Sequence, residues 1–371
     1  MSWLDLRGTG LSALERLSIE ELLLRHDPLE RCWGIIGIHE PTENRILNNV
    51  PLPPYNNIND NEKYDWNAQR NKHGKDALTD VYGHTNEGTN KSCAIIMGIG
   101  GKPQKLINIP SAMKDNVLVI KRFSGGGTVV VDHSSLWTTF IGRNDILEKN
   151  IVRPYPREIM EWSASVIFGP AFDNLNREMI SSASSSDNGH LGGARKTKMG
   201  KQTLVFQGKS CGLSGGVGES LILPPSEDEE EIQQKQNQQS LPKFQLREND
   251  YVLGERKIGG NAQSIVSGGF LHHTSFLWDW DDTNMEYLTL PEKRPTYRGD
   301  RSHDEFLVRL KDHYGNNVDK HSLFKHVKDA TSQSFDVEKM TLNDVLQIAN
   351  DKFGGLQQWF DSKCRTKIVK L

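Results

Sequence analysis

The sequence predicts an α+β protein: a mixed or antiparallel sheet flanked by helices over residues 1–290, followed by a small helical appendage over 291–371. Three observations carry that prediction. Helix-opening signatures alternate with short β-branched apolar runs, turn residues bound those runs, and helical signals dominate after residue 300. In order along the chain, Ser12-Ala-Leu-Glu15 is a capping box that opens an amphipathic helix. Leu11, Leu14, Leu17 and Leu22 lie on one side of it, and Pro28 stops it. Residues 33–39, 94–98, 117–122, 128–132 and 136–141 read as strands. Pro156 sits where a helix can begin, and 157–168 has helical apolar spacing. Residues 250–253, 262–266 and 272–278 are further strands. Ser302-His-Asp-Glu305 and Thr341-Leu-Asn-Asp344 are capping boxes, and Gly354-Gly355 closes the second of their helices.

Two polar stretches interrupt this pattern. Residues 41–91 are rich in Asn, Pro and Gly without a sustained period, which reads as a long surface loop. Residues 175–242 hold Ser181-Ser-Ala-Ser-Ser-Ser, Arg195-Lys-Thr-Lys and the acidic run Glu227-Asp-Glu-Glu-Glu231. That composition buries too little apolar surface to offset chain entropy, so disorder is expected there, broken by one hairpin near 203–208. The 45 Lys+Arg against 48 Asp+Glu leave a net charge of −3, which excludes a wholesale nucleic-acid binder. No apolar run approaches the roughly 20 residues of a membrane span, and the N-terminus has neither signal-peptide nor transit-peptide character. Cys32, Cys93, Cys211 and Cys364 show no CxxC spacing and are too few for a disulfide framework. A reduced, soluble, intracellular and monomeric protein is the expectation, without nucleic-acid or membrane partners.

Three segments can carry chemistry. In Lys121-Arg122-Phe123-Ser124-Gly125-Gly126-Gly127-Thr128, two cations end an apolar strand and three glycines follow. Glycines are costly in chain entropy, and close approach of a ligand to bare amides is one reason to keep them. The amides and cations together make an anion site; an ordinary glycine turn with solvated cations is the alternative. No Gly-Lys-Ser/Thr follows, and the next element is a strand, so neither a P-loop nor a dinucleotide fingerprint applies. In Asn249-Asp250 through Arg256-Lys257-Ile-Gly-Gly260-Asn261-Ala262, Lys257 stands between a strand and a Gly-Gly turn. From there an ammonium can hold a carboxylate against a phosphate and stabilise the charge that develops as they join. Asp250 can share Mg²⁺ with phosphate oxygens or merely cap a turn. In the third segment, His272 and His273 face opposite sides of a strand, so they are poorly placed to hold one metal together.

The order Arg-Ser-Gly-Gly-Gly, then Asn-Asp with Arg-Lys-Ile-Gly-Gly-Asn-Ala-Gln, then Leu-His-His resembles lipoate-protein ligases. The similarity extends to Leu17-Ser-Ile-Glu-Glu21 and to Pro295-Thr-Tyr-Arg298 through Phe306, and covers about 1–40, 92–170 and 244–310. It implies the biotin/lipoate protein ligase catalytic fold, shared with biotin protein ligases and class II aminoacyl-tRNA synthetases, with the polar stretches as insertions. It implies ATP and Mg²⁺ as cofactors and lipoate as substrate: lipoyl-adenylate forms, and the acyl group passes to a lysine of a partner. That partner is an apo lipoyl domain of a 2-oxoacid dehydrogenase complex or the glycine cleavage H protein. The resemblance makes Lys257 the catalytic lysine. It makes Lys121, Arg122, Ser124, Gly125, Gly126, Gly127 and Thr128 the loop around the adenylate. Asn249 and Asp250 fall near Mg²⁺ and the phosphates, Gly260, Asn261 and Ala262 in the following turn, and His272 and His273 on the paired histidines. The sequence suggests the cytoplasm, and the mitochondrion is the alternative because lipoylated complexes reside there.

The chain departs from the family pattern at Ile99, Phe123 and Val131. Two other readings compete. An octanoyl or lipoyl transferase without ATP use needs a cysteine shortly before the lysine, and 243–256 has none; Cys211 lies in the polar stretch. A non-catalytic lipoyl-protein assembly factor is the other.

Overall fold

Ser12 caps the first helix as its sequence requires. Its hydroxyl accepts the Glu15 amide at 3.2 Å and the Glu15 carboxylate accepts the Ser12 amide at 2.9 Å, so α1 (Ala13–His26) begins with two otherwise orphaned donors satisfied. The computed structural model describes residues 1–39, 93–143, 152–186, 243–292, 294–315 and 317–371. The chain forms two units, Met1–Met179 with Lys243–Leu371, and Ile180–Pro242. Of the second, only the last turns of a helix, to Ser186, are described.

The strands, in chain order, are β1 (Ser2–Asp5), β2 (Trp33–Ile38), β3 (Ala94–Met97), β4 (Leu118–Lys121), β5 (Gly125–Gly126), β6 (Val129–Val131) and β7 (Ser135–Arg143). After the second polar stretch come β8 (Phe244–Arg247), β9 (Asp250–Leu253), β10 (Arg256–Val266), β11 (Gly269–Leu277), β12 (Glu338–Met340) and β13 (Lys367–Ile368). The larger sheet runs β12-β1-β2-β7-β11-β10-β9-β8, with β5 added against β10; the smaller runs β13-β4-β3-β6. β1 is parallel to both its neighbours and β3 is parallel to β4, while the other pairings are antiparallel. The protein is α+β with a mixed sheet, as the sequence predicts.

Helices cover both faces of the larger sheet. On one, α2 (Pro156–Trp162) widens into a π-helical turn, Ser163–Phe168, and continues as α3 (Gly169–Ser186). Phe140, Trp162, Phe168, Phe172, Tyr251 and Phe276 pack here, several edge to face at centroid distances of 5.0–6.1 Å. Each such buried ring contributes roughly 1.5–3 kcal/mol. On the other face α1 lies between β11 and two C-terminal helices, α5 (Leu342–Phe353) and α6 (Leu356–Ser362); α4 (Ser322–Ser334) packs instead on the π-helical turn.

The structure corrects four expectations. The first helix is not amphipathic in its surroundings: Arg16 and Glu20 face the larger sheet, where they meet Trp137, Thr139 and His273, Glu21 accepts the Thr366 amide of the C-terminal segment, and all three are as buried as Leu14 and Leu22. The second polar stretch begins later than 175, because Leu175 is fully buried in the core and the helix continues to Ser186. The expected turn at Gly259-Gly260 lies inside β10, and the chain reverses at 254–255. The C-terminal residues contribute strands as well as helices, since β12 pairs with β1 and β13 with β4. The expected hairpin near 203–208, Cys211 and all of 41–91 fall outside the described residues.

Candidate active site

The glycine segment after β4 is bent by its own arginine. Arg122 is buried, and its guanidinium donates to the carbonyls of Ile96 (3.3 Å), Gly125 (3.2 Å) and Gly127 (2.8 Å). Burial lowers its pKa to about 10, so it stays charged at neutral pH. The loop is thereby pulled onto the larger sheet, where Gly125 and Gly126 pair with Gln263 and Ala262 of β10. Gly126 adopts φ +118, and a Cβ there would sit 2.7 Å from the Asn261 carbonyl oxygen and 2.8 Å from Arg122 Nη2. Gly126→Ala is therefore expected to destabilise the fold by about 1–2 kcal/mol or more. Gly127→Ala, whose Cβ would meet nothing within 4 Å, should change it little. Urea unfolding checks this, and equal midpoints for the two variants would contradict the strain argument.

A cavity of about 1090 Å³ opens beside this junction. Lys257 enters it from the second residue of β10, next to a bulge between Lys257 and Gly259 that re-aims the strand. Its ammonium lies 2.6 Å from Asp250 Oδ1, and the Tyr297 hydroxyl donates to Asp250 Oδ2 at 2.9 Å. Burial and the Asp250 charge push the Tyr297 hydroxyl up, so it remains a proton donor. The segment that brings Tyr297 straps the Lys257 turn. The Glu248 carboxylate accepts the amides of Thr296 and Tyr297 at 3.1 Å each, and the Val308 amide donates to the Lys257 carbonyl at 3.0 Å.

The two histidines of β11 part, as strand alternation dictates. His272 is fully buried against Ser163 and Tyr251, its Nε2 lying 3.2 and 3.1 Å from their hydroxyls. Burial first, then His273, pushes it down to about 3, so it is neutral. His273 points to α1: its Nδ1 is 2.8 Å from the Glu20 carboxylate and 3.2 Å from the Thr139 hydroxyl. Burial would raise Glu20, but His273, Arg16 at 3.1 Å and Thr139 at 2.8 Å outweigh it and hold the carboxyl below its usual range.

Buried neutral histidines predict a pH dependence. His39, lowered to about 4 by burial and then by His133 and Arg16, behaves like His272. Below pH 6.5 the unfolded chain binds protons at both that the folded chain refuses. Stability therefore falls as pH drops from 6.5 toward 4, by roughly 1.4 kcal/mol per histidine per pH unit. Urea unfolding at pH 7.5, 6.5 and 5.5 should show it; a flat profile would contradict it.

A family model, the lipoyl protein ligase A/B catalytic domain, matches residues 89–166 and 228–335. The chain belongs to the lipoyl protein ligase A/B family. Among curated proteins it is 29% identical over 256 residues to inactive lipoate–protein ligase 2 of Plasmodium falciparum, covering 64% of this chain and 54% of that protein. The chain thus spans about half the length of the curated relative it matches. Among solved structures it is similar to P. falciparum LipL1 in complex with lipoate, at TM-score 0.46 and 12% identity over 97% of this chain and 71% of that one. It is also similar to lipoate-protein ligase A bound with ATP, at TM-score 0.43 and 14% identity over 95% and 94%.

In this lipoyl protein ligase domain the cavity brings together Lys257, Asp250, Asn249, Arg122, Gly125, Gly126, Gly127, Thr128, Gly260, Asn261, Ala262 and His273. Lys121, Ser124 and His272 do not line it. Lys121 pairs with β13, Ser124 is fully buried with its carbonyl accepting the Ile99 amide, and His272 faces the helices. Sequence reasoning missed Glu20, Tyr297 and Arg298. The signals were there: paired glutamates inside an apolar helix, and a Tyr-Arg after a proline in a segment already similar to the family. Among the described residues no helix is long and apolar enough to cross a membrane.

Proposed function

We propose that the chain is an ATP-dependent lipoate-protein ligase. One observation carries the reading: the Lys257 ammonium, paired with Asp250, stands in the same cavity as the glycine loop gathered by Arg122. A cation facing bare amides suits a reaction that joins two anions. The lipoate carboxylate attacks the α-phosphorus of ATP, a C(O)O–P bond forms, and the P–O bond to pyrophosphate breaks. Lys257, drawn off Asp250 to the reacting oxygens, stabilises the charge in that transition state. In the second step the amine of the acceptor lysine attacks the acyl carbon, AMP leaves, and the amine loses a proton. Leu17, Ile96 and Val129 give the cavity an apolar wall for the acyl chain.

Mg²⁺ often needs only one or two carboxylates beside phosphate oxygens and water, and Asp250 fits that need. Among the described residues no group of three or more His, Cys, Asp or Glu could hold a metal unaided. When bound, Mg²⁺ would neutralise phosphate charge. Of the described cysteines, Cys32, Cys93 and Cys364 are buried and none lines the cavity, and burial with Glu21 pushes the Cys364 thiol up to about 12. That supports the ligase over a thioester-forming transferase.

A second reading has support from the Plasmodium relative, whose name marks that protein inactive: a chain that binds the acyl-adenylate or lipoyl protein without activating lipoate. Incubation with lipoate, MgATP and an apo lipoyl domain or H protein separates the readings by acceptor mass. An ATP-dependent gain supports the ligase, and transfer only from an acyl-protein donor indicates the transferase. No transfer from either donor leaves the binding role.

A further inference from the structure

The strap over the Lys257 turn carries an arginine that the fold leaves incompletely used. Arg298 is 5% exposed and lines the cavity. Its guanidinium stacks 4.6 Å from the Phe306 ring centre, and its Nε donates to the Arg301 carbonyl at 3.1 Å. Its Nη2 is buried with no hydrogen-bond partner, and Asp250, the carboxylate whose charge acts on Arg298, makes its ion pair with Lys257 instead. Leaving a buried charged donor unpaired costs free energy, so the arrangement is economical only if something else completes it.

The surroundings say what that something is. Lys257 and Arg294 line the same cavity; His303 lines it too, its pKa pushed down by burial, Arg298 and Lys257 and so uncharged, and the lining Glu292 is paired with Lys105. Asp250 is held there by Lys257 and Tyr297, and Glu248 is spent on two backbone amides. The excess is positive, and a planar guanidinium fork matches the oxygens of a phosphate. We propose that Arg298 is a phosphate-binding residue, whose Nη2 takes an oxygen of the nucleotide polyphosphate beside Lys257. This assignment rests on the reading of the cavity as an ATP site.

Calorimetric titration of ATP and, separately, of lipoate into the parent chain and its Arg298→Gln, Arg298→Lys and Arg301→Gln variants tests it. Arg301 holds the same strap, through the carbonyls of Tyr297, Arg298 and Glu255, but does not line the cavity. The expected result is ATP binding weakened about tenfold or more in Arg298→Gln. Lipoate binding stays within twofold, Arg298→Lys is intermediate, and Arg301→Gln loses thermal stability without a matching loss of ATP affinity. If Arg298→Gln does not fold, Arg298→Lys carries the test, because it keeps the charge and removes the fork. Unchanged ATP affinity in the Arg298 variants, or losses that follow melting temperature equally in Arg298→Gln and Arg301→Gln, overturns the assignment alone. A parent chain that binds lipoate but not ATP overturns the ATP reading together with it.

Discussion

Lys257→Ala should lower the rate of acyl-adenylate formation by about 10²–10³-fold, the effect of removing one pre-positioned charge donor from a transition state. Asp250 is buried and keeps only the Tyr297 hydrogen bond once Lys257 is truncated, so some stability is lost as well, and urea unfolding of the variant separates that loss from the loss of rate. Lipoate-dependent exchange of pyrophosphate into ATP isolates the first step from acyl transfer. Lys257→Arg is a sharper control. It keeps the charge, yet a guanidinium cannot be placed at the point that an ammonium occupies 2.6 Å from Asp250. Exchange within a few-fold of the parent in Lys257→Ala would sink the electrostatic role.

Glu20→Ala should remove about 3–5 kcal/mol of stability, the usual result of stripping one partner from a buried ion pair. Glu20 is fully buried, and its carboxylate meets Arg16, Thr139 and His273. With it gone, the charge of Arg16 and the imidazole of His273 are left facing a void. Glu20→Gln keeps the shape and the hydrogen bond to Thr139 and loses only the charge, so it should fall between. Because the folded carboxyl is held below its usual range, this stabilisation is complete above about pH 4.5 and is lost as pH falls through the lower folded value. Urea unfolding at pH 7 and 4 measures both statements. A loss below 1 kcal/mol in Glu20→Ala at pH 7 would show that the pair only offsets its own desolvation.

What the sequence made legible was local. A capping box is complete within four residues, so the helices after Ser12, Ser302 and Thr341 begin where expected. The glycine loop and Lys257 were found because each stands out from its immediate neighbours. What stayed hidden depends on register and on distant partners. Lys121 and Arg122 are adjacent, yet Lys121 closes β4 in register with β13, while Arg122 lies past the strand end and turns its guanidinium under the glycine loop. Phe123 is buried and packs its ring edge to face with His273, a contact no local pattern announces. Tyr297 reaches Asp250 from 47 positions away, and Glu20 reaches Thr139 from 119. Short strands such as β1 and β13 have no alternation of their own and exist only because another part of the chain supplies an edge.

That last point bears on how the protein is made. β1 is sandwiched between β2 and β12, and the Met1 amino group donates to the carbonyl of Asp336, 335 positions along the chain. At ribosomal speeds of about 5–20 residues per second, roughly 20–70 s separate the emergence of β1 from that of its second neighbour. Throughout that interval the nascent chain presents an unfinished apolar edge, the geometry that invites pairing with a stranger. Speed of translation and the company of holding chaperones therefore belong among the determinants of how much of this protein reaches its native state.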